Sequence, residues 1–340
     1  MKKDMRHGAA VKKNEKIVLC TALCSLLFAF CSPVEAHQAK KIPKVGVLRQ
    51  SSAHVLWTQL EAFRQGLRER GYAEGQNINI EYRYAEGEIA RLPELADELV
   101  RMKVDIIVVS STPAVLAAKN ATRDIPIVFH TIGDPVASGV VASLARPGGN
   151  ITGLTMGGAE LYGKRLELLK ETIPKLSRAA VLWNPTSSGI RQNLEATQTA
   201  AQSLRLQIQS LEIQNPEDIE PAFETAARAK IGALLITQSP PITTVPKRIV
   251  EVAAKQRLPV IYPQAQWPDM GGLMSYGANV EESYRYLASY VDKIFKGSKP
   301  AELPIERSRK LELIINLKAA KQIGLTIPPN VLARADRVIR

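Results

Sequence analysis

VVSSTPAVLAAKNA, residues 108–121, holds a strand end, a polar turn and a helix start in one line. The β-branched run favours an extended strand. It stops at Ser110, and an alanine-rich helical stretch follows. Pro113 suits the first helical position, where its missing N–H would be unpaired in any case. Ser111 or Thr112 is expected to cap. Free backbone N–H groups and the positive end of the helix dipole then face two or three small hydroxyls, and such a place attracts an anion. A nucleotide phosphate, a reaction oxyanion and the carboxylate of a metabolite all fit at this point.

The same pattern recurs on both sides. Strand-like runs at 44–50, 77–84, 105–111, 126–131, 178–184, 206–213, 232–237 and 259–263 alternate with amphipathic stretches at 57–70, 88–102, 113–121, 135–145, 160–173, 190–205, 217–229 and 245–256. Strands alternating with helices of this length predict an α/β fold of parallel sheets with right-handed crossovers. LARPGGNITGL (144–154) breaks the series at Pro147–Asn150 and reads as a seam, with a hinge at the Pro-Gly-Gly turn. A glycine-flanked strand, GGLMSYG (271–277), precedes a helix over 280–296, and 312–325 reads as a last strand and helix. Two similar lobes with several passes between them follow. One takes 37–153 plus part of 272–298. The other takes 154–271 plus the tail 299–340.

The first 36 residues read as an export signal. MKKDMRHGAAVKKNEK is basic, IVLCTALCSLLFAF is a short apolar run, and CSPVEA ends in a small-x-small pattern that predicts cleavage after Ala36. An uncleaved anchor and a lipoprotein acylated at Cys24 or Cys31 are the alternatives. The apolar run is short for a membrane span. All three cysteines, Cys20, Cys24 and Cys31, lie in this segment, so residues 37–340 carry no thiol. A chain of that length holds itself by its core without disulfides.

The whole chain has a net charge of +12, and residues 37–340 carry 39 Lys/Arg against 30 Asp/Glu, or +9. The charges alternate, as in RLPELADELVRMK and GKRLELLKETIPK, which read as solvated helix faces. No basic stripe interleaved with aromatics marks a nucleic-acid surface.

In parallel α/β sheets, ligands bind beyond the carboxyl ends of the strands. Those ends read RQSSAHVLW (49–57), SSTPA (110–114), HTIGDP (130–135), WNPTSS (183–188), TQSPP (237–241) and YPQAQW (262–267). They are polar and nearly uncharged, which suits binding more than chemistry. No G-x-S-x-G elbow, phosphate loop, dinucleotide fingerprint or H-E-x-x-H motif is present, and no cofactor is implied. A triad of Ser111, His130 and Asp134 can be written, and a metal set of His54, His130 and Asp134, but no local spacing supports either. The binding reading uses Ser111, Thr112 and Pro113 for a carboxylate. Asp134 caps the next helix or meets an ammonium, and Asn184 does the same in the second lobe. Trp57 and Tyr262 stack on a flat ligand or simply pack. Tyr276 is a hinge or cleft residue.

KVGVLRQSSAHVLWTQLEAFRQGLRERGYAEGQNINIEYRYAEG, IPIVFHTIGDPVASGVVASLARPGGNITGLT, GKRLELLKETIPKLSRAAVLWNP, GGLMSYG and LELIINLKAAKQIGLTIPPNVLARADRVI resemble, in order and over essentially all of 37–340, the substrate-binding proteins of ABC transporters of the tryptophan/tyrosine-type uptake family. The resemblance implies a type I periplasmic-binding-protein clamshell with three crossovers. It implies a small ligand, with amino acids and aromatic ones among the candidates, and a membrane permease with its cytoplasmic ATPase as partners. Ser111, Thr112 and Pro113 match the family's strand-to-helix loop, Asp134 its D-P-V motif, Asn184 and Pro185 its W-N-P motif, and Tyr276 its S-Y-G motif. Two positions depart: His130 stands where a small or apolar residue is common, and Gln238 where an acid is common. The expectation is an exported, periplasmic, monomeric solute-binding protein without enzymatic activity. A secreted α/β hydrolase and a ligand-sensing subunit for a receptor are the other classes. A sugar-responsive repressor shares the fold, but this chain has a leader where a DNA-binding head would stand.

Overall fold

The central strands of the first sheet are apolar runs whose faces are both covered by helices. The computed structural model describes residues 41–52, 57–131, 134–187, 190–238 and 242–340. The expected signal segment 1–36 and His54 lie outside these residues. Thirteen strands, β1 (Lys44–Arg49), β2 (Asn79–Tyr84), β3 (Ile106–Ser110), β4 (Ile127–Thr131), β5 (Ile151–Thr155), β6 (Arg178–Trp183), β7 (Gln207–Glu212), β8 (Ala233–Ile236), β9 (Val260–Tyr262), β10 (Met274–Ala278), β11 (Glu306–Arg307), β12 (Leu311–Asn316) and β13 (Arg337–Ile339), form two sheets among the described residues. The first runs β11-β5-β4-β3-β1-β2, and the second β13-β12-β10-β9-β8-β6-β7. Every pairing is parallel except β10 with β12.

The helices are α1 (Trp57–Arg68), α2 (Leu92–Arg101), α3 (Thr112–Ala121), α4 (Glu160–Thr172), α5 (Ile190–Ser203), α6 (Ile219–Arg228), α7 (Pro246–Lys255), α8 (Gln266–Asp269), α9 (Val280–Phe295), α10 (Leu317–Gln322) and α11 (Pro329–Leu332). Each sheet is a filling between two apolar layers. Leu48, Ile107, Val109 and Phe129 meet α2 and α3 on one face of the first sheet. Val45, Val47, Val108 and Val128 meet α1 and α9 on the other. Val181, Leu235 and Ile261 pack towards α4 and α5, while Leu182, Leu234 and Ile236 pack towards α6 and α7. Each such side chain, fully buried, contributes roughly 1.5–3 kcal/mol of transfer free energy.

The chain passes between the lobes at 156–159, at Asn279 and at 308–310. Strand β10 belongs to the second sheet, yet α9 just after it packs on α1 of the first. Gly66 permits that contact, because a Cβ there would lie 2.2 Å from the Arg285 carbonyl oxygen. The tail does not stay with the second lobe as expected: Glu306–Arg307 pairs with β5 in the first sheet before β12 joins the second.

Three other expectations are corrected. The helix expected over 135–145 is a series of turns. Ser138 Oγ donates to the Asp134 carbonyl, Gly139 takes φ +70°, and Lys119 Nζ donates to the carbonyls of Gly139 and Val140. The left-handed Gly139 and the Lys119 bonds to carbonyls that a helix would use itself hold this stretch out of the helical ladder. The stretch after the seam is strand β5, with Ile151–Thr155 all buried. The Pro147–Asn150 turn is no hinge: it feeds β5 from the amino edge of the same sheet, where Asn150 Nδ2 donates to the Thr122 and Ile125 carbonyls.

Candidate functional site

All three crossings leave from carboxyl ends of strands: β5, β10 and β11. β12, antiparallel to β10, starts at that same edge. The carboxyl edges of the two sheets therefore meet at the crossings, where ligands of open α/β sheets bind.

Register sets the first lobe's edge. Arg49 of β1 aligns with Ser110 of β3, and Ser110 with His130 of β4. Aligned residues on neighbouring strands share a face, so one row presents a guanidinium, a hydroxyl and an imidazole. Arg49 is 2% exposed. Its Nη2 donates to Gln59 Oε1 at 3.2 Å, and its guanidinium lies 5.3 Å from the centroid of the Tyr284 ring. Its Nε has no hydrogen-bond partner. His130, 4% exposed, packs its ring 4.8 Å from Tyr284, and its Nε2 is also unpartnered. Burial first, and then the nearby Arg49 charge, pushes the imidazole pKa down to about 3, so it is neutral at working pH.

Beside this row stands the start of α3. The helix begins at Thr112, with Pro113 one position further in than expected. Ser111 precedes it with φ +75°, outside the usual range for a side-chain-bearing residue. Its hydroxyl does not cap the helix: Ser111 Oγ is buried with no partner. Neither it nor His130 Nε2 is engaged, and Asp134 Oδ1 accepts from the backbone N–H groups of Val136 (2.8 Å) and Ala137 (3.3 Å). The Ser111–His130–Asp134 relay is therefore not assembled. Among the described residues no group of three His, Cys, Asp or Glu side chains is placed to hold a metal ion.

In the second lobe, Asn184 follows β6 and is buried. Its Oδ1 accepts from the backbone N–H (2.9 Å) and hydroxyl (2.8 Å) of Thr186. Gln238 follows Thr237 at the end of β8, half-buried. Tyr262 is 1% exposed and stacks on Trp267 at 4.9 Å in the core, so it packs and does not face a ligand. Burial raises its hydroxyl pKa. The main chain of Trp57 begins α1.

Tyr276 is half-buried on β10, and its carbonyl accepts from Arg165 Nε at 2.7 Å. Arg165 was not singled out in the sequence, yet it organises this end of the lobe. It is 4% exposed, lies over the Tyr162 ring at 4.8 Å and also donates to the Pro263 carbonyl at 3.5 Å. Burial weakens its hold on the proton. Gly277 makes the fit possible, since a Cβ there would lie 2.1 Å from the Pro263 carbonyl oxygen. Asn279 is the other residue missed. Its Oδ1 caps α9 by accepting from Glu282 N (2.7 Å), and its Nδ2 donates to Glu312 Oε1 (2.8 Å) across the crossing.

With this geometry in hand, similarity to known proteins bears on the site. The chain is 25% identical over 287 residues to a tyrosine-binding protein of Clostridioides difficile (strain R20291), which covers 84% of this chain and 82% of that one. A conserved domain protein from Vibrio cholerae O1 biovar El Tor superposes with a TM-score of 0.80 at 28% identity, over 88% of this chain and 100% of that one. An ABC domain from Streptococcus pneumonia, solved in complex with L-Trp, gives 0.79 at 25% identity over 87% and 99%. The profile of ABC transporter substrate binding proteins matches residues 44–339, and this chain, with its two α/β lobes of the type I periplasmic-binding plan, belongs to that family.

Proposed function

We propose that this protein is the extracytoplasmic solute-binding component of an ABC uptake transporter. It takes a small polar metabolite between the carboxyl edges of its two sheets and delivers it to a membrane permease driven by a cytoplasmic ATPase. The observation that carries this reading is the meeting of those edges at three crossings, with buried unpartnered polar atoms on the first lobe's edge: Arg49 Nε, Ser111 Oγ and His130 Nε2. Leaving such atoms bare costs roughly 1–3 kcal/mol each, and a ligand that bonds them recovers that free energy. Relatives that bind tyrosine and L-Trp make an amino acid, an aromatic one included, or another small carboxylate the cargo.

Ser111, Thr112 and Pro113 receive the ligand's anionic group. Asp134, Asn184, Gln238 and Tyr276 shape the remainder of the cleft. The ligand touches both lobes only when they close, so it shifts the open–closed population towards the closed form that the permease reads. The protein works as a monomer, outside the cytoplasm, after cleavage behind Ala36. It binds and does not catalyse. Among the described residues no helix is long and apolar enough to cross a membrane.

A thermal-shift screen of the purified protein, unfolded and refolded to remove carried-over ligand, tests this. The panel holds amino acids, small carboxylates, nucleosides and sugars. Ligand at 100 times Kd adds roughly 2.7 kcal/mol, a rise on the order of 5–10 °C for a domain of this size. A rise with one compound class is expected. No rise with any compound contradicts the assignment.

A further inference from the structure

We propose that Arg49 holds the α-carboxylate of an amino-acid cargo and so sets a preference for the acid over its neutral amide; this rests on the solute-binding reading above. Two arginines, Arg49 and Arg165, are buried among the described residues. Arg165 is fully engaged: its Nε donates to the Tyr276 carbonyl at 2.7 Å and its Nη2 to the Pro263 carbonyl at 3.5 Å. Arg49 is not. It has one amide oxygen, Gln59 Oε1, and the Tyr284 ring for company, and its Nε is bare. Among the described residues no carboxylate pairs with it. A cation buried without an anion is costly. A bound carboxylate supplies the missing counter-charge in the planar geometry that a guanidinium matches.

The residues around Arg49 leave a way in. It aligns with Tyr84 of β2 on one side and with Ser110 of β3 on the other. Both neighbours are half-buried, so the row is open beside the guanidinium at the edge where α3 begins. Ser110 in turn aligns with His130. A hydroxyl and an imidazole N–H, both donors to an anion, thus stand next along the row. The Tyr284 ring lies 5.3 Å from the Arg49 guanidinium and 4.8 Å from the His130 ring, and packs the two side chains against the same edge.

The charges decide what the site prefers. The α-carboxylate of an amino acid cancels the Arg49 charge. The α-amide of the same amino acid offers one acceptor oxygen and no negative charge, and leaves the guanidinium buried and uncompensated. Hydrogen bonds to a charged partner contribute more than those between neutral groups, so the acid should bind about tenfold to a hundredfold tighter than its amide. The start of α3 also favours an anion. The share that belongs to Arg49 is therefore read by changing Arg49 and following the acid-to-amide ratio.

Calorimetric titration of the refolded protein tests the proposal. The probes are the L-amino acids that raise its unfolding midpoint, L-tryptophan and L-tyrosine first, each against its own α-amide. The wild type is expected to bind the acid about tenfold tighter or more. In Arg49→Gln the acid-to-amide ratio should shrink about tenfold, and in Arg49→Lys, which keeps the charge but not the planar fork, by less. A folded Arg49→Gln protein that keeps the wild-type ratio, whatever its absolute affinities, gives Arg49 a structural part only and overturns the proposal. An amide that binds the wild type as tightly as its acid overturns it too. If Arg49→Gln does not fold, nuclear magnetic resonance of the wild type with isotope-labelled arginine decides. One arginine Nε–H signal should move downfield on saturation with the acid and stay in place with the amide; no such movement overturns the proposal. A thermal rise with no amino acid, but with a sugar or nucleoside, overturns it and leaves the solute-binding function standing. No rise with any compound overturns both readings.

Discussion

His130 shows how one side chain ties the site to stability. The folded protein keeps its imidazole neutral, with the pKa pushed to about 3 by burial and by Arg49, while the unfolded chain titrates it near the ordinary 6.5. The folded-state pKa is depressed, so the unfolded state binds the extra proton below 6.5. Stability from this group is full above pH 6.5 and falls as pH drops towards 3. At pH 4.5 the loss is about 2–3 kcal/mol. Urea unfolding of wild type and His130→Leu at pH 7.5 and 4.5 checks this. The variant should lose less stability than wild type on acidification. Equal losses in the two proteins would place the acid sensitivity elsewhere.

The same scale marks what the sequence disclosed. Ser111 was readable as a strand-end residue beside a helix start, because small hydroxyls between a β-branched run and Pro113 have few other uses. That its hydroxyl stays free was not readable, since capping by Ser111 and capping by nothing leave the same letters. Tyr262 follows two apolar strand residues and ends beside Trp267 in the core, so its place in YPQAQW suggested an exposure it does not have.

At the scale of elements, the clearest miss is α4. GKRLELLKETIPK reads as a solvated face of alternating charge, yet Arg165 is buried. The helical period held the clue. Arg165 is four residues after Leu161 and four before Leu169, both buried, so it stands on the apolar face. The turn series at 135–145 escaped for the opposite reason: the pattern was compatible with a helix, and Gly139 and Lys119 hold the backbone otherwise. Packing between elements gives a direct test at α1 and α9. Gly66→Ala puts a methyl into the Arg285 carbonyl and forces the helices apart. It should destabilise the protein by about 1–3 kcal/mol, seen as a lower urea midpoint with an unchanged slope. An unchanged midpoint would mean that the two helices are not held at this spacing.

For the molecule as a whole, alternation of strand and helix was enough to predict parallel sheets in two lobes. It did not predict which passes join them. The glycine turn at 147–150 looked like a hinge and lies at the far edge of one sheet. The crossings instead use Met156–Ala159, Asn279 and Ser308–Lys310, where bonds such as Ser283 Oγ to Ser308 Oγ at 2.9 Å and Asn279 Nδ2 to Glu312 join segments distant in sequence. Such bonds depend on chain segments that meet only after folding, and no local spacing announces them.

In the proposed function, one ligand touches the carboxyl edges of both sheets. Amide hydrogen exchange reads it directly, with the panel compound that raises the unfolding midpoint added or withheld. Exchange should slow at Ser110–Ala114 in the first lobe and at Asn184–Ser187 in the second, together and at the same ligand concentration. Slowing at one edge with none at the other would contradict closure of two lobes on a shared ligand.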